Sequence, residues 1–517
     1  MDASYDVVVV GAGSAGSVVV RRLVDAGVRV LLLEAGRADD NPAIHDPPRV
    51  FELWESPDDW AYLTVPQRAC ADRQLFWPRG KVLGGSSALN GMIYIRGHRS
   101  DFDHWAYLGN AGWSYADVLP LFKRSEDFDA GENEFHGAGG PLHVMTRYEP
   151  HPLHAAVVEA AQQAGVPFNP DHNGAELDGV GYAQLMIRGG RRQTSTVAFV
   201  RPVADRQNLE IVTGAQALSL LFEGSRCTGV EYLHEGRLAT ARAEHEVLVC
   251  GGTIESPKLL MLSGVGPAAE LARLGIDVRV DLPGVGQNLH DHALSPVIWS
   301  ARREVPPPVP GIQQLHSHLF ARSRPGLLGP DVQPLVFHMP MYLPGMEGPP
   351  HGFTIMGGII RPASRGSLTL ASADPTEPPL LDPAYLTEEV DVEAMLWSVE
   401  LSREIGEAAA LDDWRGEELY PGPDVRSRDE LREYVRRTTI TYHHQVGTCR
   451  MGVDALAVVD PELRVYGTEG LRVADASVMP AVVSGNTHAA ATMIGERASD
   501  LVLAGLAAAR AAEPVSA

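Results

Sequence analysis

The sequence predicts an α/β protein, in which a parallel sheet assembled from separated segments is joined by a second domain with an antiparallel sheet. Apolar strand ends followed by glycine or small polar residues recur at Asp6–Val10, Val247–Cys250 and within Gly470–Pro480. Such continuous apolar runs are typical of parallel strands buried on both faces. A segment rich in proline and glycine, 297–350, and the alternating pattern of Ser364–Pro375 predict the second domain.

Charge and cysteine content exclude several classes of protein. The chain has 517 residues and a net charge of −23, which argues against nucleic acid and against an anionic membrane surface. No apolar stretch approaches the ~20 residues of a membrane helix, and the N-terminal apolar run lacks the positive region of a signal peptide. The four cysteines show no C-x-x-C spacing, so neither a disulfide framework nor a zinc site is expected. We expect a cytoplasmic monomer or homodimer without a metal.

The N-terminal segment predicts one βαβ unit. A strand at Asp6–Val10 is followed by a helix at Ser17–Ala26, which Gly27 closes, and by a second strand at Arg29–Leu33. This order of elements places two parallel strands side by side in one sheet.

The turn after the first strand has the spacing G-x-G-x-x-G, formed by Gly11, Gly13 and Gly16. The first glycine permits a tight turn, the second lets the backbone approach a pyrophosphate, and the third lets the helix pack closely on the strand. The positive end of that helix favours phosphate. Glu34, at the end of the second strand, can accept both ribose hydroxyls and would repel a 2′-phosphate. The motif alone does not separate FAD from NAD.

Four further segments carry a resemblance to a known family. They are GKVLGGSSALN (80–90), GGTIESPKLLMLSGVGP (251–267), HQVGTCRMG (444–452) and GNTHAAATMIGERASDLV (485–502). Together they resemble the glucose–methanol–choline family of FAD-dependent oxidoreductases, in consistent order from residue 5 to about 505. The resemblance is weakest across about 297–430.

The resemblance implies a division into two domains. A Rossmann-like FAD-binding domain would comprise residues 1–150, 196–296 and 436–517. An α+β substrate-binding domain would comprise residues 151–195 and 297–435.

The resemblance also implies a set of FAD contacts along the chain. The ADP half would lie on Gly11, Gly13, Ser14, Ala15, Gly16, Glu34 and Ala35, the adenine on Ala217, the isoalloxazine on Val82, Gly85, Asn90, Gly91 and Met92, and the remaining contacts on Asp475, Ala476 and Thr487. Leu89 stands where choline oxidase-like sequences have the histidine that links FAD covalently, so we expect non-covalent FAD. His98, just beyond this segment, is expected at the surface.

Members of the family oxidise an alcohol by removing its hydroxyl proton while the carbinol hydride passes to flavin N5. Their base precedes a glycine in H-x-x-G-T, which gives His444, and the partner on the same oxygen is His488. Imidazole, with an ordinary pKa of about 6.5, suits this proton transfer. His443 is expected to shape the substrate pocket, with Tyr62 as a further pocket residue. A metal site at these histidines is disfavoured because adjacent side chains diverge.

The predicted activity is oxidation of a primary alcohol to an aldehyde, with further oxidation to the acid left open. Choline or sugar oxidation and a non-redox lyase of the hydroxynitrile type are the alternatives. His443 replaces the aromatic residue usual before the base, which argues against a trimethylammonium cage. Oxygen or another acceptor would reoxidise the flavin. His316, His318 and His338, in the predicted substrate domain, are expected at the surface.

Overall fold

The computed structural model describes residues 4–512 and contains two seven-stranded sheets. Residues 1–3 and 513–517, the outer ends of the predicted FAD-binding domain, lie outside the described residues. The α-helices are Ser14–Asp25, Pro42–His45, Arg99–Tyr107, Tyr115–Ser125, Pro152–Gln163, Gly252–Leu262, Ala268–Arg273, Glu389–Glu407, Arg428–Thr438 and His488–Ala512. Each helix within the described residues is too short or too polar to cross a membrane.

The first sheet carries the predicted parallel strands. In spatial order its strands are Leu209–Thr213, Val30–Glu34, Ser4–Val10, Arg237–Val249, Arg226–His234 and Ala215–Glu223, and Leu471–Val473 pairs with Arg237–Val249. The strands from Leu209–Thr213 to Arg237–Val249, and Leu471–Val473, are parallel. The last two strands of the row add an antiparallel hairpin that the sequence reading did not predict.

The first helix begins at Ser14, three residues before its predicted start, because the helix follows the glycine turn directly with Gly13 as its N-cap. It packs against the C-terminal helix His488–Ala512. Arg22 of the first helix makes two hydrogen bonds, of 2.9 and 2.7 Å, with the buried carboxylate of Glu496 on the second. This pair of helices fixes the start of His488–Ala512 beside the glycine turn.

The second sheet is antiparallel throughout. In spatial order its strands are Arg415–Tyr420, Ala293–Ala301, Gly352–Ile359, Leu335–Phe337, Ser317–Phe320 and Gly179–Tyr182, with Ile440–Thr441 paired to Ala293–Ala301. Helix Glu389–Glu407 packs on this sheet. Strand Ala293–Ala301 begins before the predicted domain boundary at residue 297, and the division into two domains stays a prediction.

Shorter pairings complete the structure. Gly366–Thr369, within the segment predicted as a strand, lies between Gln287–Leu289 and Leu380–Asp382 in a small sheet of its own. The two-stranded pairs are Tyr62–Leu63 with Phe76–Trp77, Glu126–Phe128 with Leu142–Val144, Ile187–Arg188 with Arg191–Arg192, and Val265–Gly266 with Val280–Asp281.

The two sheets meet at the site. Strands of the first sheet end at Val10, Glu34, Val249 and Val473, and parallel strands present these carboxyl ends at one edge, where α/β proteins bind ligands. Strand Ile440–Thr441, which pairs with the second sheet, leads directly into the tandem histidines.

Candidate active site

A cavity of about 780 Å³ runs from the glycine turn to the tandem histidines. Gly11 and Glu34 border one end, and His443, His444 and Phe337 border the other. The cavity therefore joins the carboxyl edge of the first sheet to the second sheet.

The glycine turn forms a cradle that only small residues permit. Gly11 has a φ of +102°, and a Cβ there would lie 2.4 Å from the carbonyl oxygen of Cys250. At Gly13 a Cβ would meet no protein atom within 4 Å, so the backbone here faces the open cavity. This is the exposed N–H surface that a pyrophosphate needs.

Glu34 is held at the edge of the cavity by two backbone groups. The N–H of Ala12 donates to Oε2 at 2.9 Å, and the N–H of Gly36 donates to Oε1 at 2.8 Å. The side chain is 6% exposed, and burial raises the pKa of Glu34 to about 7. Each oxygen retains a second lone pair, which a ribose hydroxyl can use.

Fourteen of the sixteen predicted cofactor residues line this cavity. They are Gly11, Gly13, Ser14, Ala15, Glu34, Ala35, Gly85, Asn90, Gly91, Met92, Ala217, Asp475, Ala476 and Thr487. Gly16 lies behind the turn, where a Cβ would come within 2.0 Å of the carbonyl oxygen of Gly11. Val82 is fully buried in a cluster with Ile44 and Leu53, so the structure does not place its side chain along the flavin site.

These residues fit FAD. The open backbone at Gly13 suits a pyrophosphate, and the buried carboxylate of Glu34 suits a ribose. Leu89 lines the same cavity and offers no nucleophile for a covalent link. Arg192, which sequence reasoning missed, supports the loop behind Asn90.

The guanidinium of Arg192 is 1% exposed and donates to the carbonyl of Ile44 at 2.7 Å and to Asn90 Oδ1 at 2.9 Å. No carboxylate pairs with it among the described residues, and burial lowers the pKa of Arg192 to about 9. An unpaired cation behind the loop suits a ligand that carries or acquires negative charge.

Asp291 fixes the backbone that carries the tandem histidines. Its Oδ1 accepts from the N–H of His444 at 2.7 Å, and its Oδ2 accepts from Thr441 Oγ1 at 2.6 Å and Gln445 Nε2 at 2.9 Å. The hydroxyl of Tyr385 also donates to this carboxylate. Burial raises the pKa of Asp291 to about 6, against the lowering effect of these donors.

The ring of His444 has a polar partner at each nitrogen. Nδ1 lies 3.0 Å from Nδ1 of His292, and Nε2 lies 3.2 Å from Nδ2 of Asn486. Gln333 Nε2 donates to Asn486 Oδ1 at 3.2 Å, which turns the amide nitrogen of Asn486 toward His444. Burial and the neighbouring His292 hold the pKa of His444 well below its usual range, so the ring is neutral near pH 7.

His488 opens the C-terminal helix. Its Nδ1 hydrogen-bonds with Ser14 Oγ at 2.8 Å, and its Nε2 is buried without a protein partner. Burial, aided by the charge of Arg192, lowers the pKa of His488 to about 4. His488 and His444 both line the cavity but do not hydrogen-bond with each other among the described contacts.

His443 lies on the same cavity, so the tandem side chains do not diverge to opposite faces. Its ring centroid is 5.0 Å from that of Trp54. Tyr62 also borders the cavity, but its hydroxyl donates to Glu255 at 2.6 Å and its ring stacks on Trp60. Gln314 and Asn486 also line this end. Much of the remaining wall is apolar: Phe51, Met92, Ile93, Leu294, Leu315, Leu335, Phe337, Met341, Met356 and Tyr442.

Four other histidines that were expected at the surface are buried. His98 is buried and caps helix Arg99–Tyr107, accepting from the N–H of Ser100 at 3.2 Å. His316, His318 and His338 are also buried, because they lie on or beside strands of the second sheet. Within residues 4–512, the one group with the spacing of metal ligands is Asp6, Glu244 and His245, which is outside the cavity.

The fold and the site define an FAD-dependent oxidoreductase. The GMC oxidoreductase family models match residues 5–294 with the N-terminal part and 362–495 with the C-terminal part. The chain therefore belongs to the GMC oxidoreductase family, as the resemblance of its motifs predicted.

Relatives align over almost the whole chain. Mitochondrial choline dehydrogenase of Mus musculus is 42% identical, covering 96% of this chain and 89% of its own length. Oxygen-dependent choline dehydrogenase of Brucella ovis is 40% identical, covering 96% and 95%.

Solved structures show the same fold. Pyridoxine 4-oxidase from Mesorbium loti has a TM-score of 0.93 and 37% identity, covering 96% of this chain and 98% of its own. A formate oxidase variant from Aspergillus oryzae has a TM-score of 0.89 and 28% identity, covering 98% and 99%.

Proposed function

We propose that the protein oxidises a neutral primary alcohol to an aldehyde, with His444 as the base and with non-covalently bound FAD. The observation that carries this proposal is the pair of contacts at the two nitrogens of His444. They support a neutral imidazole whose unprotonated Nε2 accepts from Asn486, a residue that lines the cavity.

The hydrogen-bond directions follow from one another. The amide nitrogen of Asn486 is a donor, so Nε2 of His444 accepts and carries no proton. The single ring proton of a neutral His444 then lies on Nδ1, which must donate to Nδ1 of His292. His292 can accept because burial lowers its pKa to about 3 and keeps it neutral.

An alcohol hydroxyl that reaches Nε2 of His444 would replace Asn486 and transfer its proton there. His488 Nε2, buried and without a partner, supports a second contact to the same alcohol oxygen. A bound flavin would supply the acceptor for the hydrogen and electron pair that leave the carbinol carbon. Leu89 in the cavity wall supports the non-covalent state.

The walls favour an uncharged substrate. The acidic residues that border the cavity are Glu34, Glu55, Glu255 and Asp475. Glu34 and Asp475 bind groups at the strand ends, and Glu255 accepts from Tyr62. Glu55 is exposed. A buried cation such as choline needs a carboxylate or a full aromatic cage, and the histidine end supplies instead many aliphatic side chains.

Choline oxidation is the second candidate, favoured by the names of the relatives at 40–42% identity. Trp54 and Phe51 supply two aromatic faces that a trimethylammonium group could contact.

The proposal extends to further oxidation of the aldehyde to the acid. It also extends to oxygen or another acceptor as the oxidant of the reduced flavin. We also propose a cytoplasmic location, which the four free, buried cysteines support, and a monomer or homodimer.

An anaerobic alcohol screen tests the proposal. Benzyl alcohol and an aliphatic primary alcohol should bleach the flavin absorbance, with a higher second-order rate constant for flavin reduction than choline. Air should then restore the colour if oxygen is the acceptor. A clear preference for choline would overturn the choice of substrate class. No bleaching with any alcohol would favour the non-redox lyase alternative.

A further inference from the structure

Two polar atoms at the histidine end of the cavity have no partner in the protein. Oε1 of Gln314 and Nδ1 of His443 are both buried and both make no hydrogen bond. Their residues line the cavity. A buried polar group without a partner is costly to the folded state, and natural proteins keep few of them outside functional sites.

The backbone of His443 is held in a conformation that few side chains adopt. Its φ is +68°, in the left-handed region. The N–H donates to Thr441 Oγ1 at 2.7 Å, and the carbonyl accepts from Arg79 Nη2 at 2.8 Å. Contacts on both sides therefore maintain the strain and aim the imidazole at the cavity, as is common in ligand sites.

The amide orientation of Gln314 follows from its other contact. Nε2 donates to the carbonyl of Pro48 at 2.8 Å, which leaves Oε1 on the opposite side as a free acceptor. Pro48 belongs to the short helix Pro47–Leu53, and Trp54 at its end packs against the ring of His443. One segment thus contacts both residues and places them at the same end of the cavity.

These features describe what a ligand must offer. A carboxamide oxygen accepts only, so Gln314 needs an O–H or N–H group. Burial lowers the pKa of His443 to about 3, so its neutral ring can pair with an uncharged group as donor or acceptor. The surrounding aromatic and aliphatic side chains suit a flat apolar ring.

Resting on the proposed function, we infer that the substrate is a primary alcohol on an aromatic ring that carries a second, uncharged hydrogen-bond donor. Gln314 accepts from that second group, and His443 contacts the same side of the ring. The two residues determine specificity, whereas His444 and His488 act on the reacting hydroxyl. Neither residue would recognise a trimethylammonium group.

Matched substrates separate this inference from the proposed function. The 3- and 4-hydroxybenzyl alcohols are compared with their methoxy counterparts and with benzyl alcohol, by flavin bleaching under anaerobic conditions. The methoxy group keeps the ring and the oxygen but removes the donor. The second-order rate constant for flavin reduction should be about tenfold or more higher for at least one hydroxybenzyl alcohol than for its methoxy counterpart, because Gln314 stays unpaired when the donor is absent.

Two variants test whether Gln314 and His443 cause the preference for the hydroxy over the methoxy substrate. In His443→Phe and Gln314→Met the ratio of hydroxy to methoxy substrate should fall toward one, while His104→Phe, at an exposed histidine outside the cavity, should keep the wild-type ratio. Equal rates for the paired substrates in the wild type, or an unchanged ratio in both variants, would overturn the inference and leave the proposed function intact. If none of these benzylic alcohols bleaches the flavin but an aliphatic primary alcohol does, only the inference fails; if no primary alcohol does, the proposed function fails as well.

Discussion

The Nδ1 atoms of His292 and His444 lie 3.0 Å apart, so one of the two buried rings must donate a hydrogen bond to the other. Asn486 already donates to the far nitrogen of His444, which makes His444 the donor and His292 the acceptor. His292 therefore fixes the tautomer in which His444 can take a proton from the cavity. His292 is a positioning residue, because it acts through His444.

Removing the acceptor at position 292 should slow proton removal. In His292→Leu, Nδ1 of His444 loses its partner and the tautomer is no longer fixed, so anaerobic flavin reduction by a good alcohol should slow by up to the roughly 10²–10⁴-fold that a general base contributes. His292→Asn restores an acceptor oxygen and should recover part of the rate. Flavin reduction in His292→Leu that is no slower than in His292→Asn would show that the contact with His444 does not fix the tautomer.

Removing the carboxylate of Glu34 should weaken retention of FAD. Glu34→Ala leaves the N–H groups of Ala12 and Gly36 and the ribose hydroxyls without an acceptor, which should cost about 1–3 kcal/mol of binding free energy. Glu34→Gln, which keeps one acceptor oxygen, should lose less. Titration of the apoprotein with FAD measures both, and His444→Ala, outside this end of the cavity, is the control. Retention of FAD by Glu34→Ala at wild-type affinity would show that the second strand does not end at the ribose.

FAD should leave the protein on acid or heat denaturation. The cavity presents Leu89 where a covalent link would need a nucleophile, and His98 instead caps a helix. After precipitation the yellow colour should be in the supernatant, with the mass of unmodified FAD. Colour that stays in the pellet would identify a covalent attachment at another residue.

The free energy of unfolding should fall as the pH falls below about 6.5. Burial lowers the pKa of His316 and His172 to about 4 and that of His338 to about 3. The unfolded chain binds protons at about pH 6.5, so these histidines stabilise the fold fully above that pH and progressively less down to about pH 3–4. Each such group contributes a slope of about 1.4 kcal/mol per pH unit.

A single variant isolates this effect. In His338→Phe the slope of the unfolding free energy against pH, between pH 4.5 and 6, should decrease by about 1.4 kcal/mol per pH unit. Urea unfolding of the FAD-bound protein measures this slope. The same change at exposed His104 is the control. A slope identical to that of the wild type would mean that His338 does not bind an additional proton on unfolding.

Local patterns sufficed to predict four of the seven strands of the first sheet. The valine run, the glycine spacing and Glu34 act within one βαβ unit, and their consequences extend only over neighbouring residues. The hairpin 215–234 was not predicted, because its strands add to the edge of a parallel sheet through pairing that no local pattern reveals. The buried position of Val82 likewise depends on residues 43–53, which pack on it from another part of the chain.

The site was predicted only where a motif carries it. His444 and His488 stand in recognisable segments, but Asp291 and His292, which contact His444, and Gln314, which lines the cavity, come from segments far away in sequence. The sequence feature that could have indicated these two residues is the polar dipeptide Asp291-His292, directly before the strand Ala293–Ala301. It lies beside the tandem histidines only because that strand pairs with Ile440–Thr441. His98 and His338 were expected at the surface because a histidine pattern alone does not show which tertiary partners will cover it.

We propose that His444, and not His443, removes the hydroxyl proton of the alcohol. Anaerobic stopped-flow reduction of the flavin by a good alcohol substrate tests it in His444→Ala, His443→Ala and His488→Ala, each with bound FAD. The reduction rate constant should fall by roughly 10²–10⁴-fold in His444→Ala and by less in His488→Ala, whereas His443→Ala should mainly raise the substrate concentration at half-saturation. A fall in the rate constant of His443→Ala as large as that of His444→Ala would contradict the assignment.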